Sequence, residues 1–144
     1  MKPTTKHYLL TAFWGAVGAF IASVVILTFE NRRKNDFDLA MALASDAINR
    51  TLPMMIDSAT QLMATAGAGG ILQYNLRLIH LAAARVDTVS LKQQFQTKVT
   101  TSACSAPELR DTFLKRGVTV RFTYADSGFR RLFRIDVSPR DCGF

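Results

Sequence analysis

Residue types that carry out acid–base or metal chemistry are few in this chain and form no recognisable constellation. The two histidines, His7 and His80, have no nucleophile or carboxylate beside them in a known motif. The carboxylates occur singly, and Asp57, Asp87 and Asp126 stand where helix caps and turns favour aspartate. Catalysis by proton transfer or by a nucleophile needs such groups in combination. We therefore expect a protein that is not an enzyme.

Sequence motifs for metals and cofactors are also absent. The glycine-rich run at 66–70 lacks the Lys-Ser/Thr pair of a phosphate-binding loop and is typical of a turn. The two cysteines, Cys104 and Cys142, belong to no Cys-x-x-Cys pair or Cys/His cluster, which argues against a metal site. We expect no metal and no small-molecule cofactor.

The long spacing between Cys104 and Cys142 is typical of a single structural disulfide. Two buried free thiols, or thiols used for intermolecular pairing, are the alternatives. Closing a loop of this length stabilises a domain by roughly 4 kcal/mol in the chain-entropy model. Because disulfides persist in oxidising compartments, the cysteine pair favours a location outside the cytosol.

Arginine side chains are the candidates for binding a ligand or partner. The chain has 18 Lys and Arg against 11 Asp and Glu, a net charge of +7, which suits anionic lipids, glycans or acidic proteins. The chain also carries an uncharged apolar segment that would hold the domain at a membrane, so nucleic acid is not expected as a binding partner. If three predicted strands share one sheet, four arginines project from the face opposite the core: Arg77, Arg121, Arg130 and Arg134. Their planar donor groups match carboxylates and phosphates; the alternative is an ordinary solvated face.

The segment 8–29 contains 22 residues and no charge. As a helix it would be about 33 Å long, which is enough to cross the hydrocarbon core of a bilayer. It is too long for a cleaved signal peptide, and a weak cleavage site at Ala22-Ser23 lies inside the apolar run. We therefore predict a retained transmembrane anchor.

Basic residues flank both sides of the predicted anchor. Lys2 and Lys6 precede it and Arg32-Arg33-Lys34 follows it, so the positive-inside rule leans slightly towards a cytoplasmic C-terminal flank. The cysteine pair favours the opposite orientation. We predict a single-pass protein of the bacterial inner membrane, with a short cytoplasmic tail at 1–7 and the C-terminal domain in the periplasm.

Small residues form one stripe along the predicted anchor at spacings of three and four, which is typical of close helix–helix contact. The stripe consists of Ala12, Gly15, Ala16, Ala19, Ala22 and Ser23. It predicts a homo-oligomer or a protein partner, although Gly and Ala are also common in membrane helices that make no such contact.

Helical and strand patterns alternate after the anchor. A juxtamembrane helix is expected at 30–53, where apolar residues recur every three or four positions and Pro53 ends the helix. The patterns in 54–144 predict strands near 60–65 and 72–78 and a helix after Asp87 whose apolar face is Leu91, Phe95 and Val99. A helix capped by Ser105 and Glu108 should follow and end at Gly117, before strands near 118–124 and 130–137. Six positions should face the core: Tyr74, Leu76, Val120, Phe122, Phe133 and Ile135.

This order of elements predicts an α+β fold. The domain at 54–144 should be of αββ-αββ type, with helices covering one face of a four-stranded antiparallel sheet. With the anchor and the juxtamembrane helix, the predicted organisation is a tail at 1–7, a span at 8–29, a helix at 30–53 and a periplasmic domain at 54–144.

Several short motifs carry a family resemblance. They are Leu52-Pro53-Met54-Met55-Ile56-Asp57, Leu72-Gln73-Tyr74-Asn75, Cys104-Ser105-Ala106-Pro107, Gly117-Val118-Thr119 and Val137-Ser138-Pro139-Arg140-Asp141-Cys142. With these motifs, the chain resembles a group of small, usually single-pass bacterial envelope proteins, and the resemblance implies no activity. The Asp126-Ser127-Gly128 turn departs from the Asp-x-Asp-Gly usual in that group. The layout also resembles, more loosely, inner-membrane platform subunits of secretion and type IV pilus machines.

The leading hypothesis is a non-enzymatic accessory or scaffold subunit of a bacterial envelope complex such as a secretion or pilus machine. A periplasmic binding module for an anionic ligand, using the arginine face, is the second hypothesis. An envelope inhibitor or immunity protein is the third, because a small disulfide-bonded domain fits it equally well. In each case we expect protein–protein interaction rather than chemistry.

Overall fold

The computed structural model describes residues 34–144. The elements are α1 (Lys34–Asn49), β1 (Met54–Met55), β2 (Thr60–Ala68), β3 (Ile71–Leu78), α2 (Thr88–Ser105), α3 (Pro107–Thr112), β4 (Thr119–Ala125) and β5 (Arg131–Val137). Short 3-10 segments occur at Ala83–Arg85, Leu114–Arg116 and Pro139–Cys142.

The five strands form one mixed sheet in the order β1-β2-β3-β4-β5. Neighbouring strands are antiparallel except β3 and β4, which run parallel. Every second residue of β3 and β4 is buried. These residues form one core with side chains from all three helices, in which α1 packs on β2 and α2 packs on β5.

The predicted αββ-αββ domain with a four-stranded antiparallel sheet is wrong. A fifth strand, β1, pairs with the start of β2, and β3 is parallel to β4. The parallel pairing arises because the chain at 79–118 crosses back over the sheet through α2 and α3, as parallel neighbours require. The six predicted core residues are all buried, because side chains alternate between faces in the same way in parallel and antiparallel strands.

Helix α1 belongs to the same core as the sheet. Its apolar stripe places Met41 and Ile48 in that core, as their spacing predicts. At its C-terminal end, the Asn49 side chain accepts a hydrogen bond from the backbone N–H of Thr65 at 2.7 Å and donates to the Thr65 carbonyl at 2.9 Å. The helix expected at 30–53 is therefore, over the described residues, an integral part of the α+β domain.

Strand β2 is longer than the sequence predicts. It continues through Ala68, so the turn expected at 66–70 consists of Gly69 and Gly70, which both have positive φ. Gly67 lies within the strand, where a Cβ atom would come within 2.6 Å of the Met41 Cβ. That glycine therefore serves the close approach of α1 to β2 rather than the turn.

The start of α3 also differs from the prediction. Ser105 is the last residue of α2, and the N-cap of α3 is Ala106, which has no capping side chain. The predicted capping box of Ser105 and Glu108 does not form. Pro107 begins the helix instead, with a fixed φ and no N–H group to satisfy.

Cys104 and Cys142 form the intramolecular disulfide that the sequence predicts, with Cα atoms 5.4 Å apart. The bond joins the last turn of α2 to the C-terminal 3-10 segment Pro139–Cys142. It therefore links the crossover between β3 and β4 to the chain that follows β5.

The predicted anchor at 8–29 and its stripe of small residues lie outside the described residues. Within residues 34–144, no helix is both long enough and apolar enough to cross a bilayer. This finding contradicts the predicted localisation, a single-pass inner-membrane protein with a periplasmic C-terminal domain.

Gly67→Ala should destabilise the domain, because the added methyl group would lie 2.8 Å from the Met41 carbonyl carbon, a backbone atom that moves only if α1 moves. We expect the free energy of unfolding, measured by urea denaturation, to fall by about 1–3 kcal/mol. Ala66→Ser, at an exposed position on the same strand, should change it by less than about 0.5 kcal/mol. An unchanged denaturation midpoint for Gly67→Ala would contradict the close packing.

Replacing Cys104 and Cys142 together by alanine should lower the free energy of unfolding by roughly 2–5 kcal/mol. The disulfide joins residues 38 positions apart, so its loss frees a long loop in the unfolded chain. Urea denaturation with and without a reducing agent measures the effect: reduction should destabilise the wild type and leave the double variant unchanged. Two reactive thiols in the unreduced, unfolded wild type would contradict the bond.

Candidate functional site

An apolar cleft of about 440 Å³ opens between α2 and the helix-covered face of the sheet. The sheet side is formed by Leu78, Phe122 and Tyr124, and the helix side by Leu91, Phe95 and Val99. Ile56, before β2, Leu81, after β3, and Leu109 of α3 complete the large apolar part of the lining. This volume and this lining are typical of binding sites in proteins.

The position and capping of α2 determine the helix side of the cleft. The Asp87 carboxylate accepts a hydrogen bond from the backbone N–H of Val89 at 3.0 Å, which caps the helix. Leu91, Phe95 and Val99 then recur every four residues and lie on one side of α2. All three are only half-buried, because α2 packs on β5 and α3 at its other contacts.

Phe95 keeps α2 at a distance from the sheet. Its ring centroid lies 5.2 Å from that of Tyr124 and 5.5 Å from that of Phe133, with both contacts edge-to-face, an arrangement that aromatic pairs favour. Because an aromatic ring lies between the helix and the sheet at this point, the helix backbone cannot approach closely. The cleft remains open beside this cluster.

Polar groups at the cleft are few: Asp57, Thr60, His80, Lys98 and Ser102. The Asp57 carboxylate accepts hydrogen bonds from the backbone N–H groups of Ala59 and Thr60, at 2.8 and 2.7 Å, and so shapes the turn before β2. Burial, and secondarily the charge of Asp57, raises the pKa of the Tyr124 hydroxyl, which therefore stays neutral. The cleft offers apolar surface with an exposed cation, Lys98, at its rim.

Asp126 holds the connection after β3 against the β4–β5 turn. Its Oδ2 atom accepts a hydrogen bond from the backbone N–H of Ala83 at 3.0 Å, and its Oδ1 atom accepts from Gly128 and Arg130 at 2.9 and 2.8 Å. These bonds, with that of Ala83 the largest contribution, lower the pKa of the carboxyl group. Because Leu81 in the same connection lines the cleft, Asp126 helps to position one end of the site.

Two of the predicted binding arginines already have partners within the chain. Arg121 forms a two-point salt bridge with Asp136 on the neighbouring strand, with nitrogen–oxygen distances of 2.8 and 3.0 Å, and this contact lowers the pKa of the Asp136 carboxyl. Arg77 donates hydrogen bonds to the Ser127 carbonyl and stacks over the Phe129 ring at 4.1 Å. Both guanidinium groups therefore support the sheet and its turn.

The other two predicted arginines lie at the far edge of the sheet. Arg134, on β5, approaches Asp136 at 3.5 Å and stays exposed. Arg130 precedes β5 and lies in the exposed turn instead of on the strand. The structure therefore brings Arg121 and Arg134 together at one oxygen of Asp136, while Arg77 binds the Ser127 carbonyl. The binding role of Arg77, Arg121, Arg130 and Arg134 stays a prediction.

Sequence reasoning identified the lining of α2 but missed the cleft. Leu91, Phe95 and Val99 form the predicted apolar face of the helix, which indicates burial and not an opening. The available signal was the narrowness of that face, which has only these three large apolar residues along an 18-residue helix; the fourth, Val89, is 65% exposed.

Within residues 34–144, no group of three or more His, Cys, Asp or Glu side chains is arranged to hold a metal ion.

The architecture defines a class of small α+β proteins with a five-stranded mixed sheet and helices on one face. No family model and no curated protein matches the sequence. Three solved structures share the fold. A protein from Pseudomonas aeruginosa described as secreted is 16% identical, with a TM-score of 0.57 over 73% of this chain and 95% of that one.

The other two similar structures are pilotins of type II secretion systems. EpsS of Vibrio vulnificus is 16% identical, with a TM-score of 0.57 over 74% of this chain and 92% of its own. AspS of Vibrio cholerae is 15% identical, with a TM-score of 0.55 over 73% of this chain and 91% of its own. At these identities the likeness establishes a shared fold.

Asp126→Asn should make stability less dependent on pH in the acid range. The folded-state pKa of Asp126 is lowered, so its hydrogen bonds stabilise the domain above the unfolded-state pKa of about 3.9, and this contribution is lost as the pH falls through the folded-state pKa. The variant should melt at a lower temperature than the wild type at neutral pH and lose less on acidification. Thermal unfolding followed by circular dichroism measures both effects.

The matched control for this experiment is Asp46→Asn, at an exposed position of α1, which should follow the wild type. An Asp126→Asn variant with the melting temperature and pH dependence of the wild type would contradict the structural role given to the carboxylate.

Proposed function

We propose that this protein is a non-enzymatic accessory component of an envelope secretion system that acts by binding a protein partner. The fold supports this proposal, since two of the similar structures are type II secretion pilotins. The Cys104–Cys142 disulfide supports an oxidising compartment. The observation that carries the proposal is the apolar cleft, because its lining is mainly apolar surface that a bound partner would cover.

The occupant that suits the cleft best is an amphipathic helix of the partner. A helix bound in a groove is anchored by apolar side chains one turn apart, and Leu91, Phe95 and Val99 provide apolar contacts at the same spacing on α2. These three side chains are half-buried in the described chain. A bound helix would remove their remaining apolar surface from water, which is the main favourable contribution to such association.

Charge at the cleft indicates the polar part of the partner. Lys98 is exposed at the rim, on a chain with a net charge of +7. Asp57 is exposed there as well, but its carboxylate already accepts hydrogen bonds from the backbone of Ala59 and Thr60. Acidic residues beside the apolar stripe of the partner helix would complement Lys98. Complementary charges of this kind affect specificity and association rate more than affinity.

The alternative functions have less support. Binding of an anionic ligand on the open face of the sheet would have to compete with the partners of Arg77 and Arg121 inside the chain. An inhibitor or immunity protein would also bind a partner, but no observation favours it over the secretion role. The short motifs that resemble those of small bacterial envelope proteins agree with this role, and we propose membership of that group together with it.

Site-specific photocrosslinking tests the proposal in the cells that naturally make the protein. With p-benzoylphenylalanine in place of Val99 in the full chain, we expect one main adduct, which mass spectrometry identifies as a component of an envelope secretion machine. The same label at Gln94, which is exposed on α2 and does not line the cleft, is the control and should not give this adduct.

Charge insertion then tests the cleft directly. Val99→Glu should abolish co-purification of the identified component because it places a carboxylate among apolar contacts, while Gln94→Glu adds the same charge to the same helix and should not. Thermal unfolding shows whether both variants are folded. An adduct with proteins unrelated to secretion, or equal binding by both variants, would contradict the proposal.

A further inference from the structure

Strand β5 forms one edge of the sheet. Among the strands that the structure describes, it pairs only with β4. An edge strand presents a row of backbone N–H and C=O groups that can pair with another extended chain. A shallow groove of about 670 Å³ lies along the first half of β5, between residues 131–134 and the first turns of α2.

The groove is strongly basic. Among the residues that the structure describes, its lining includes Lys92, Arg131 and Arg134 and no carboxylate. All three cations are exposed. Arg134 approaches Asp136 at 3.5 Å. Arg121, and after it Arg134 and Lys92, lower the pKa of the Asp136 carboxyl, so Lys92 and Arg134 both act on that one anion. Arg131 forms no salt bridge with any residue in the described part of the chain. The three exposed cations therefore leave an excess of positive charge for an anionic partner.

Apolar contacts are also available in the groove. Val89, in the first turn of α2, is 65% exposed, and Leu132 of β5 is half-buried and lines the same groove. The groove therefore combines backbone groups, cations and apolar side chains. This combination matches a strand whose residues alternate between acidic and apolar.

We propose that the edge of β5 is a docking site for an extended acidic segment of a partner protein, which pairs with β5 as a sixth strand. The charges favour this occupant over a second copy of the chain, because two basic edges would repel each other. The apolar lining favours it over a membrane surface, because only Val89 is an exposed apolar residue, while Leu132 is half-buried and Phe133 is buried. Main-chain hydrogen bonds would supply affinity and side chains specificity, as in other cases of strand addition.

This docking site is separate from the apolar cleft. No residue lines both of them, and they differ in the class of segment they would bind: an amphipathic helix for the cleft and an acidic strand for the groove. The inference therefore does not depend on the proposed function, and either can fail while the other holds.

The test uses the full chain and three synthetic peptides of eight residues, capped at both ends and labelled with a fluorophore. The first alternates Glu and Val, the second alternates Lys and Val, and the third is the Glu/Val peptide with two valines replaced by proline, which blocks strand pairing. Fluorescence anisotropy measures binding, and hydrogen exchange of the backbone amides of residues 131–137 locates it. We expect only the first peptide to bind and to slow exchange in β5.

Charge reversal provides the matched comparison. Arg131→Glu with Arg134→Glu should weaken binding of the Glu/Val peptide by about tenfold or more, which corresponds to about 1.4 kcal/mol. Arg50→Glu with Arg140→Glu makes the same change in net charge at exposed positions away from the groove and should weaken it far less. Thermal unfolding verifies that both double variants are folded.

Four outcomes would overturn the inference. The first is no binding of the Glu/Val peptide, and the second is equal binding of the proline-containing peptide, which would show attraction by charge alone. The third is equal weakening by the two double variants. The fourth is binding to vesicles of anionic phospholipid that depends on Arg131 and Arg134 without strand protection in β5, which would assign the groove to a membrane surface.

Discussion

Parallel pairing of β3 with β4 requires the chain to return from one end of the sheet to the other before β4 begins. Here α2 and α3 make that return, as a helical crossover usually does between parallel strands. The crossover brings α2 onto the face of the sheet that α1 also covers. Both candidate sites follow from this arrangement, because the cleft and the groove are the spaces that α2 leaves on its two sides.

The two long helices cover the sheet in different ways. On the β2 side, Gly67 has no side chain, so the backbone of α1 at Met41 comes into direct contact with the strand and the core is closed. On the other side, the ring of Phe95 lies between α2 and β4–β5. One half of the covered face is therefore sealed and the other half is open, which is the physical origin of the cleft.

Two contacts far apart in sequence fix the position of α2. The disulfide joins its last turn, at Cys104, to the chain end beyond β5. Near its beginning, the Asp126 carboxylate binds the backbone of Ala83 in the connection that leads into it. The helix is thus held at both ends by bonds that do not involve its apolar stripe, so Leu91, Phe95 and Val99 can stay partly exposed without the helix losing its place.

The sequence by itself determined most of the helices and strands and the set of buried residues on β3, β4 and β5, and it predicted the disulfide that the structure contains. The alternation from Leu72 to Leu78 specifies which face of β3 is buried, Gly117 ends the helical region with a positive φ, and the two cysteines could pair only with each other within one chain. Tertiary structure decided the direction of β4 relative to β3, the pairing of β1, the role of Gly67 and the existence of the cleft. The physical reason is that side-chain alternation is identical in parallel and antiparallel strands, whereas strand direction and the gap under α2 depend on contacts between residues distant in sequence.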